Sequence, residues 1–307
     1  MSVIPNRLHF VWVGTNLPDR HARNVLNWVL QNPMYDIYLW TETHQMETQL
    51  GIILEILQEF VTQSRVEGME LEPVLIGKRI LLYKNGEEVG KLYLGTIAVI
   101  PPMEGSETIF YEEHLVARNY GVSGDFLRMW VLYEFGGIYS DLDVFPVAQP
   151  LPLNIVAPKG VLFATSEKND RELMNSFMAT DMGFDKLKIM VQMQVKAYRG
   201  QITRKEKEGV EYWEVSDWYT SHCAQLNRDR ARRDACAPDD PRRATFQHNI
   251  ASLITLETVF RTGPLQVWKW LGTVDGVRMF TEDVDDYSFP RQTGYNPIVG
   301  SEESWVC

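Results

Sequence analysis

Apolar residues recur with two different periods over the first sixty positions, and the two periods alternate. Residues 3–14 (VIPNRLHFVWVG) are rich in β-branched and aromatic side chains, which predicts a first strand that ends near Gly14. Residues 24–31 predict a helix, residues 35–41 a second strand, and residues 47–61 an amphipathic helix. This strand, helix, strand order is typical of an α/β fold.

Shorter predicted elements follow this opening. Residues 80–94 form two apolar runs around Asn85 and Gly86, a dipeptide typical of a two-residue hairpin turn. Residues 161–165 predict another short strand. Residues 199–247 carry many charges and little apolar periodicity, which indicates a solvated surface loop or a pair of helices.

Residues 123–146 (SGDFLRMWVLYEFGGIYSDLDVFP) hold the most concentrated pattern. An almost wholly apolar helix is predicted to begin after Ser123 as its N-cap and to end at Gly136 and Gly137, which favour a left-handed stop. Asp125 and Arg128 lie three residues apart in the predicted first turn. Two interpretations stay open for them: an acid near the helix dipole with its ion-pair partner, or a ligand-binding pair.

Two carboxylates lie on the strand that is predicted to follow Gly137. Because strand side chains alternate, Asp141 and Asp143 are expected to share one side, and Leu142 and Val144 to point to the core. Like charges so close repel each other unless a cation or a proton lies between them. Carboxylate oxygens are the ligands that Mg²⁺ and Mn²⁺ prefer, so this spacing predicts a divalent metal site.

Length and composition fit a compact globular protein. The chain has 307 residues, of which 45% are hydrophobic, and 9 are Trp, so it can bury a substantial core. We expect a single domain over residues 1–307, with insertions at about 62–100 and 199–247. The only cysteines are Cys223, Cys236 and Cys307, a number that fits a reducing compartment.

Net charge and hydropathy exclude some classes of partner. A net charge of −11 argues against a nucleic-acid groove or a polybasic membrane anchor. No run of apolar residues is long enough for a transmembrane segment, and the first residues do not form a signal peptide. We therefore expect a soluble protein. His9, in the first strand, is expected to be a structural histidine with satisfied hydrogen bonds.

From Asp125 onward the same residues match a known family pattern, roughly S-D-x-x-R followed by G-G-h-Y-x-D-x-D. Its positions here are Asp125, Arg128, Gly136, Gly137, Tyr139, Asp141 and Asp143. The stretch resembles the glycosyltransferases with a DXD sugar-binding region, which include the large clostridial glucosylating toxins and the yeast-type initiating mannosyltransferases. Residues 3–14 are similar to the family's opening I-P-x-x-I-H-x-x-W-x-G. The resemblance implies a GT-A-like, Rossmann-like nucleotide-sugar-binding fold, with a mixed sheet flanked by helices.

The resemblance also implies roles for single residues. Mn²⁺ or Mg²⁺ would be held by Asp141, Asp143, Ser304 and a terminal acid, Glu302 or Glu303. Contacts to the donor would come from Trp12, Val11, Asp125, Arg128, Tyr139, Asp141, Asn175 and Trp305. Among these, Trp12 would stack on uracil and Trp305 would contact the leaving oxygen. An alternative for Trp12 is a core residue, and for Asn175 a loop cap.

The implied activity is a hexosyltransferase that uses UDP-glucose or UDP-N-acetylglucosamine, retains the anomeric configuration and acts on a protein or glycan acceptor. Such an enzyme would act as a secreted effector in a host cytosol or in the bacterial cytoplasm. Two alternatives stay open. One is a haloacid-dehalogenase-like phosphatase with Asp141 as nucleophile. The other is a non-catalytic nucleotide-sugar-binding module.

Overall fold

The fold is that of a computed structural model, in which the chain divides into two compact units. The described residues are 3–166, 169–198, 203–207, 210–214, 218–237, 240–250, 273–274, 277–278 and 284–299. The first unit contains those within 1–102, 127–185 and 283–304, and the second those within 103–126 and 186–282. A compact unit is not by itself an independently folding domain, so the single domain over residues 1–307 stays a prediction.

The first unit is built on an eight-stranded mixed sheet. In spatial order its strands are β3 (Leu71–Ile76), β4 (Arg79–Lys84), β5 (Glu87–Thr96), β2 (Asp36–Thr41), β1 (Arg7–Val11), β6 (Gly137–Ser140), β9 (Asn169–Thr180) and β8 (Val161–Ser166). Strands β5, β2, β1 and β6 are parallel, whereas β4 and β9 are antiparallel to both neighbours. The expected α/β sheet and its predicted strands are confirmed, although β1 is shorter than residues 3–14.

The central strands of the sheet are buried on both faces, as parallel strands usually are. Leu8 and Phe10 of β1 belong to the main apolar core. On the opposite face the alternate residue, His9, lies in an aromatic stack with Tyr38 and Trp40. The period-two pattern of β1 therefore places one apolar cluster on each side of the sheet.

Two long helices cover the core face of the sheet. They are α1 (Asp19–Gln31) and α2 (Met46–Val66), and both were predicted as shorter segments. Leu50, Ile53 and Leu57 recur at helical spacing along the buried face of α2. The buried face of α1 is less uniform, because it includes the polar side chains of His21 and Asn24.

The predicted hairpin at residues 80–94 is confirmed as β4 and β5. Asn85 and Gly86 both have positive φ, at 51° and 83°, which is the backbone of the expected two-residue turn. Because β5 pairs with β2, the hairpin is continuous with the central sheet. That residues 62–100 are an insertion stays a prediction.

The apolar helix before the two aspartates is α4 (Tyr120–Phe135). Its expected N-cap is wrong, because the helix begins three residues before Ser123. The Ser123 hydroxyl donates a hydrogen bond to the Asn119 carbonyl at 3.1 Å, as serine does inside a helix. Asp125 therefore lies inside α4, beyond its first turn, and its predicted interaction with the helix N-terminus is wrong as well.

The expected left-handed stop after α4 is confirmed, since Gly136 and Gly137 have φ of 61° and 98°. A Cβ on Gly137 would lie 2.7 Å from the Arg7 carbonyl oxygen of the neighbouring strand. Glycine is therefore required here both by the backbone conformation and by the close approach of β1.

The second unit contains helices and a small sheet. Its described elements include α3 (Glu107–Tyr111), a π-helical turn (Glu112–Ala117), α5 (Lys186–Tyr198), α6 (Trp218–Ala235) and helical residues at 241–250. Its sheet contains β10 (Thr203–Lys207), β11 (Val210–Glu214), β12 (Thr273–Val274) and β13 (Val277–Arg278). Of the two interpretations of residues 199–247, the helix pair is the one observed over 218–250; the β10–β11 hairpin was not predicted.

A two-stranded ladder and a short helix complete the first unit. Strand β7 (Val144–Phe145) is antiparallel to β14 (Ile298–Val299), and α7 (Phe289–Thr293) begins after the Ser288 cap. Across the described ranges, no helix combines the length and the apolar character that a membrane span requires.

Candidate functional site

Three neighbouring parallel strands end at the same edge of the sheet. Strand β1 ends at Val11 and is followed by Trp12, β6 ends at Ser140 and is followed by Asp141, and β2 ends at Thr41. In the sheet, β1 lies between β2, the next strand in the chain, and β6, a much later one. Ligands of open α/β sheets bind at such a point, where the strand order reverses. This edge is therefore the candidate site.

A buried network of three side chains lies behind this edge. Arg128 Nη2 lies 3.1 Å from Asp141 Oδ1, and the Tyr139 hydroxyl donates to the same oxygen at 2.7 Å. The guanidinium of Arg128 also stacks over the Tyr139 ring, with its carbon 4.9 Å from the ring centroid. Its Nη1 donates to the Asn175 main-chain carbonyl at 2.6 Å. Arg128, Tyr139, Asp141 and Asn175 are thus brought together.

The environment of Asp141 opposes its charge in one respect and supports it in two. Burial raises the pKa of its carboxyl, whereas the positive charge of Arg128 and the hydrogen bond from Tyr139 lower it. Both favourable contacts reach Oδ1. Within the described ranges, no further side chain is recorded against this carboxylate.

The two aspartates lie in a turn and not on a strand, so that prediction is wrong. Strand β6 ends at Ser140, the Asp141 amide donates to the Ser176 carbonyl at 2.7 Å, and the Val144 amide closes the turn on the Asp141 carbonyl at 3.1 Å. We call residues 141–144 the DXD turn. Its apolar residues are buried as expected, with Leu142 3% and Val144 0% exposed, and Asp143 is half-buried.

Three side chains of α1 hold the backbone of the DXD turn. Asn24 Nδ2 donates to the Leu142 carbonyl at 2.9 Å and to the Val144 carbonyl at 2.8 Å. His21 Nδ1 lies 3.0 Å from the first of these oxygens, and Trp28 Nε1 lies 3.0 Å from the second. The sequence analysis missed these residues. The one available signal was Asn24, a polar residue among the apolar residues of the predicted helix of residues 24–31.

Trp12 is half-buried at the end of β1 and packs against the main apolar core. Its indole nitrogen donates to the Thr15 carbonyl at 2.8 Å, and its ring packs at a tilt on His21 with 5.3 Å between centroids. Val11, immediately before it, is buried in β1. The ring is therefore held in place at the edge of the sheet while part of it stays accessible.

His9 is a structural residue, as expected. Its ring is fully buried, Nε2 donates to the Gly136 carbonyl at 2.9 Å, and Nδ1 accepts from the indole nitrogen of Trp40 at 3.2 Å. These two partners require the neutral ring, and burial lowers the pKa of His9 to about 3.

The remaining predicted residues are placed as follows. Asn175 is buried in β9, directly before Ser176, whose carbonyl accepts from the Asp141 amide, so the loop-cap interpretation is wrong. Asp125 is buried in α4, with 2% of its surface exposed. Glu302, Glu303, Ser304 and Trp305 lie outside the described residues.

The donor set of the DXD turn fits a hard divalent cation. Asp141 supplies one carboxylate and Asp143 a second, two residues later, on a turn whose backbone is held by hydrogen bonds from α1. Mg²⁺ and Mn²⁺ are commonly held by one or two carboxylates, with phosphate and water oxygens completing the coordination. The described part of the chain contains no cluster of three or more His, Cys, Asp or Glu that could bind a metal without such help.

Comparison with known proteins identifies the region that contains this site. Residues 18–159 match the family described as "Glycosyltransferase sugar-binding region containing DXD motif". A relative from Legionella pneumophila subsp. pneumophila (strain Philadelphia 1), "Subversion of eukaryotic traffic protein A", is 26% identical over 181 residues. That alignment covers 59% of this chain but only 23% of the relative, so the chain spans less than a quarter of the length of the curated protein it matches.

Solved structures with a similar fold include the catalytic domain of alpha-toxin from Clostridium novyi. It is 10% identical with a TM-score of 0.50, over 95% of this chain and 78% of that one. The PaToxG glycosyltransferase is 17% identical with a TM-score of 0.47, over 83% of this chain and 87% of that one. The mixed sheet with its flanking helices is the expected GT-A-like α/β fold. Residues 18–159, which include the DXD turn, are thus similar to the glycosyltransferase sugar-binding region that contains a DXD motif.

Proposed function

We propose that this glycosyltransferase moves a hexose or an N-acetylhexosamine from UDP-glucose or UDP-N-acetylglucosamine to a protein or glycan acceptor. The reaction would require Mn²⁺ or Mg²⁺ and would retain the anomeric configuration. The observation that carries this proposal is the buried network of Arg128, Tyr139 and Asp141. It prepares one carboxylate for a cation at the edge of the sheet where a nucleotide would bind.

The nucleoside part of the donor would bind at the end of β1. The Trp12 ring would stack on uracil, since a partly accessible indole held at its nitrogen offers a flat apolar surface. The backbone at Val11 would read the edge of the base. Tyr139 and Asn175 would contact the donor from the neighbouring strands.

The diphosphate would lie over the DXD turn. Asp141 and Asp143 would hold the cation, together with Ser304 and either Glu302 or Glu303. When bound, such a cation neutralises the charge that develops on the leaving diphosphate. Arg128 would add a positive charge close to the phosphates or the sugar hydroxyls, while Asp125 would accept hydrogen bonds from the sugar.

Bond cleavage at the anomeric carbon releases the diphosphate, and Trp305 would contact its leaving oxygen. The acceptor hydroxyl would lose its proton to the departing phosphate as the new glycosidic bond forms. We assign no covalent nucleophile. This part of the proposal rests on the family resemblance.

Two alternatives are separated from this proposal by different observations. A buried strand, β6, precedes Asp141, as a phosphatase of this class would also require, so the strand does not separate the two enzymes. The family match argues against the phosphatase instead, because it assigns the DXD region to glycosyltransferases. A binding module without activity would keep the same fold and the same turn, and only an activity measurement separates it from an enzyme.

The direct test is incubation of the purified protein and Mn²⁺ with UDP-glucose, UDP-N-acetylglucosamine, GDP-mannose and a generic phosphate ester. We expect slow hydrolysis of a UDP-sugar and its loss in Asp143→Ala. The matched control is Asp36→Ala, a half-exposed aspartate that pairs with Lys91 at the opposite end of β2. Cleavage of the phosphate ester alone would support the phosphatase, and no turnover at all would support the binding module.

We propose that the acceptor is a host protein and that the chain acts as a bacterial effector in the host cytosol. The support is the Legionella relative, whose name describes subversion of eukaryotic traffic. Action in the bacterial cytoplasm on a glycan is the alternative. Mass spectrometry of a eukaryotic lysate treated with enzyme and UDP-sugar should find hexose or N-acetylhexosamine on a protein, and a bacterial glycan product would overturn the effector proposal.

A further inference from the structure

The polar face of α1 is unusual because it is directed at main-chain atoms of the DXD turn. His21, Asn24 and Trp28 follow one another at helical spacing of three and four residues, so they lie on the same face of α1. All three are buried, with 2%, 1% and 0% of their surfaces exposed. We call these three side chains the α1 clamp.

Asn24 is the central member of the clamp. Its Nδ2 is the one group of α1 that bonds both carbonyls, that of Leu142 and that of Val144. Both carbonyl oxygens can only accept hydrogen bonds. The NH₂ group of the Asn24 amide must therefore face them, which determines the orientation of the side chain. The two carbonyls belong to the residues immediately before and after Asp143, so one amide fixes the backbone on both sides of that carboxylate.

His21 and Trp28 each support one of the same carbonyls. Leu142 O keeps His21 when Asn24 is removed, and Val144 O keeps Trp28. Loss of Asn24 therefore leaves no carbonyl of this pair without a donor. What it removes is the link between them, which holds the two ends of the turn at a fixed separation.

We propose that Asn24 is a positioning residue for the DXD turn, and that it sets the affinity of this turn for a divalent cation and a nucleoside diphosphate. The inference rests on the proposed function, because it assigns the turn to cation binding. Groups that orient metal ligands from behind typically change metal affinity 10- to 100-fold when they are mutated. Asn24 acts through the backbone of Asp143 and does not itself contact the cation.

The test uses Asn24→Leu, which removes both donors at similar volume, and Asn24→Asp, which keeps the shape but places oxygen opposite the two carbonyls. The matched control is Asn32→Leu. Asn32 is equally buried at the end of the same helix, and it also bonds the main chain, donating to Trp28 O and accepting from the Leu151 amide. It therefore tests the loss of a buried asparagine away from the DXD turn.

Two measurements are made on each variant. The first is Mn²⁺ binding in the presence of UDP, followed by the paramagnetic resonance signal of free Mn²⁺. We expect an affinity about 10 to 100 times weaker in both Asn24 variants and within about twofold of wild type in Asn32→Leu. The second is hydrogen exchange of the Val144 amide, which closes the turn; it should become faster in the Asn24 variants only.

Each outcome decides something. If hydrogen exchange of the Val144 amide is unchanged in folded Asn24→Leu, the positioning role of Asn24 is overturned, whatever the Mn²⁺ affinity of that variant. Faster exchange with unchanged Mn²⁺ affinity would overturn the link to binding, and equal losses in Asn32→Leu would reduce the effect to general destabilisation and overturn the inference. A wild-type chain that binds no Mn²⁺ would instead overturn the proposed function, while the exchange result would still decide whether Asn24 holds the turn.

Discussion

Arg128 is the residue whose replacement most directly probes the buried network behind the DXD turn. Arg128→Met keeps a long apolar chain but removes the polar interactions of the guanidinium, among them three that involve the site. They are the ion pair with Asp141 at 3.1 Å, the hydrogen bond to the Asn175 carbonyl at 2.6 Å and the stacking of the guanidinium over Tyr139. The side chain of Arg128 is only 7% exposed, so water cannot replace these contacts fully.

The expected loss of stability follows from burial. Breaking a buried pair by removing one partner costs about 3–5 kcal/mol, because the other charge stays behind. Asp141 is somewhat more accessible, with 20% of its side chain exposed, and it can take up a proton. We therefore expect the free energy of unfolding to fall by about 3 kcal/mol at neutral pH, at the lower end of that range.

The pH dependence has a definite sign. Burial already raises the pKa of Asp141, and Arg128 opposes this rise, so Arg128→Met raises the pKa of Asp141 further. Between the pKa of the unfolded aspartate and the higher folded value, the folded state binds more protons than the unfolded state, and stability falls as the pH rises. Relative to wild type, Arg128→Met should therefore lose least stability near pH 4 and most at pH values above the raised pKa of Asp141.

Urea unfolding of wild type, Arg128→Met and Arg128→Lys at several pH values provides the assay. Lysine keeps the positive charge but lacks the planar guanidinium that donates several hydrogen bonds and stacks on Tyr139. Arg128→Lys should therefore recover only part of the stability that Arg128→Met loses. The matched control is Arg79→Met, since Arg79 also stacks over a tyrosine, Tyr93, but forms no ion pair in the described part of the chain. A loss below about 1 kcal/mol in Arg128→Met, or one that does not change with pH, would refute the reasoning.

Three further predictions concern other parts of the first unit. Trp12→Ala should weaken UDP binding by about 1–3 kcal/mol, the worth of one stacked base, and calorimetry with an unchanged dissociation constant would remove Trp12 from the site. Gly137→Ala should destabilise the fold by about 1–3 kcal/mol, because its φ is 98° and its Cβ would meet Arg7 O at 2.7 Å. Gly51→Ala, on open helix surface, should instead stabilise it by about 0.5–1 kcal/mol, and thermal unfolding distinguishes the two signs. His9 stays neutral in the fold, with its pKa lowered to about 3, while the unfolded imidazole takes up a proton below its usual 6.5. Wild-type stability should therefore fall as the pH drops from about 6.5 toward 3, and His9→Phe should show a shallower slope in unfolding experiments; an identical slope would contradict this.

The sequence predicted those elements whose signals are local. The hairpin at Asn85 and Gly86, the first two strands and the two glycines after α4 all depend on turn chemistry or on periodicity within a few residues. Their boundaries were less accurate: α1 begins at Asp19 and not near residue 24, and α2 extends to Val66. Local patterns indicate that an element exists more reliably than they indicate where it ends.

The position of the DXD turn was not predictable from its own residues. The alternation of Asp141, Leu142, Asp143 and Val144 has the period of a strand, and the burial of the two apolar residues agrees with it. The turn forms because α1 supplies hydrogen bonds to its carbonyls from residues 116 to 121 positions earlier in the chain. A tertiary contact of this kind overrides a local strand pattern and leaves no trace in the spacing.

The helix before the turn shows a similar conflict. Ser123 followed by Asp125 has the composition of a helix start, but the Ser123 hydroxyl bonds the Asn119 carbonyl inside α4. The structure brings Arg128, Tyr139 and Asp141 into contact from positions on either side of the glycine pair. The sequence alone did not show which carboxylate pairs with Arg128; in the structure that partner is Asp141.

The central claim is that the DXD turn binds a divalent cation that holds the diphosphate of the donor. Calorimetric titration of UDP into the purified protein, with and without Mn²⁺, tests it most directly. The account predicts binding that requires Mn²⁺ in wild type and in Asp36→Ala, and that is lost in folded Asp143→Ala. UDP binding of equal strength without Mn²⁺, or undiminished in Asp143→Ala, would contradict it.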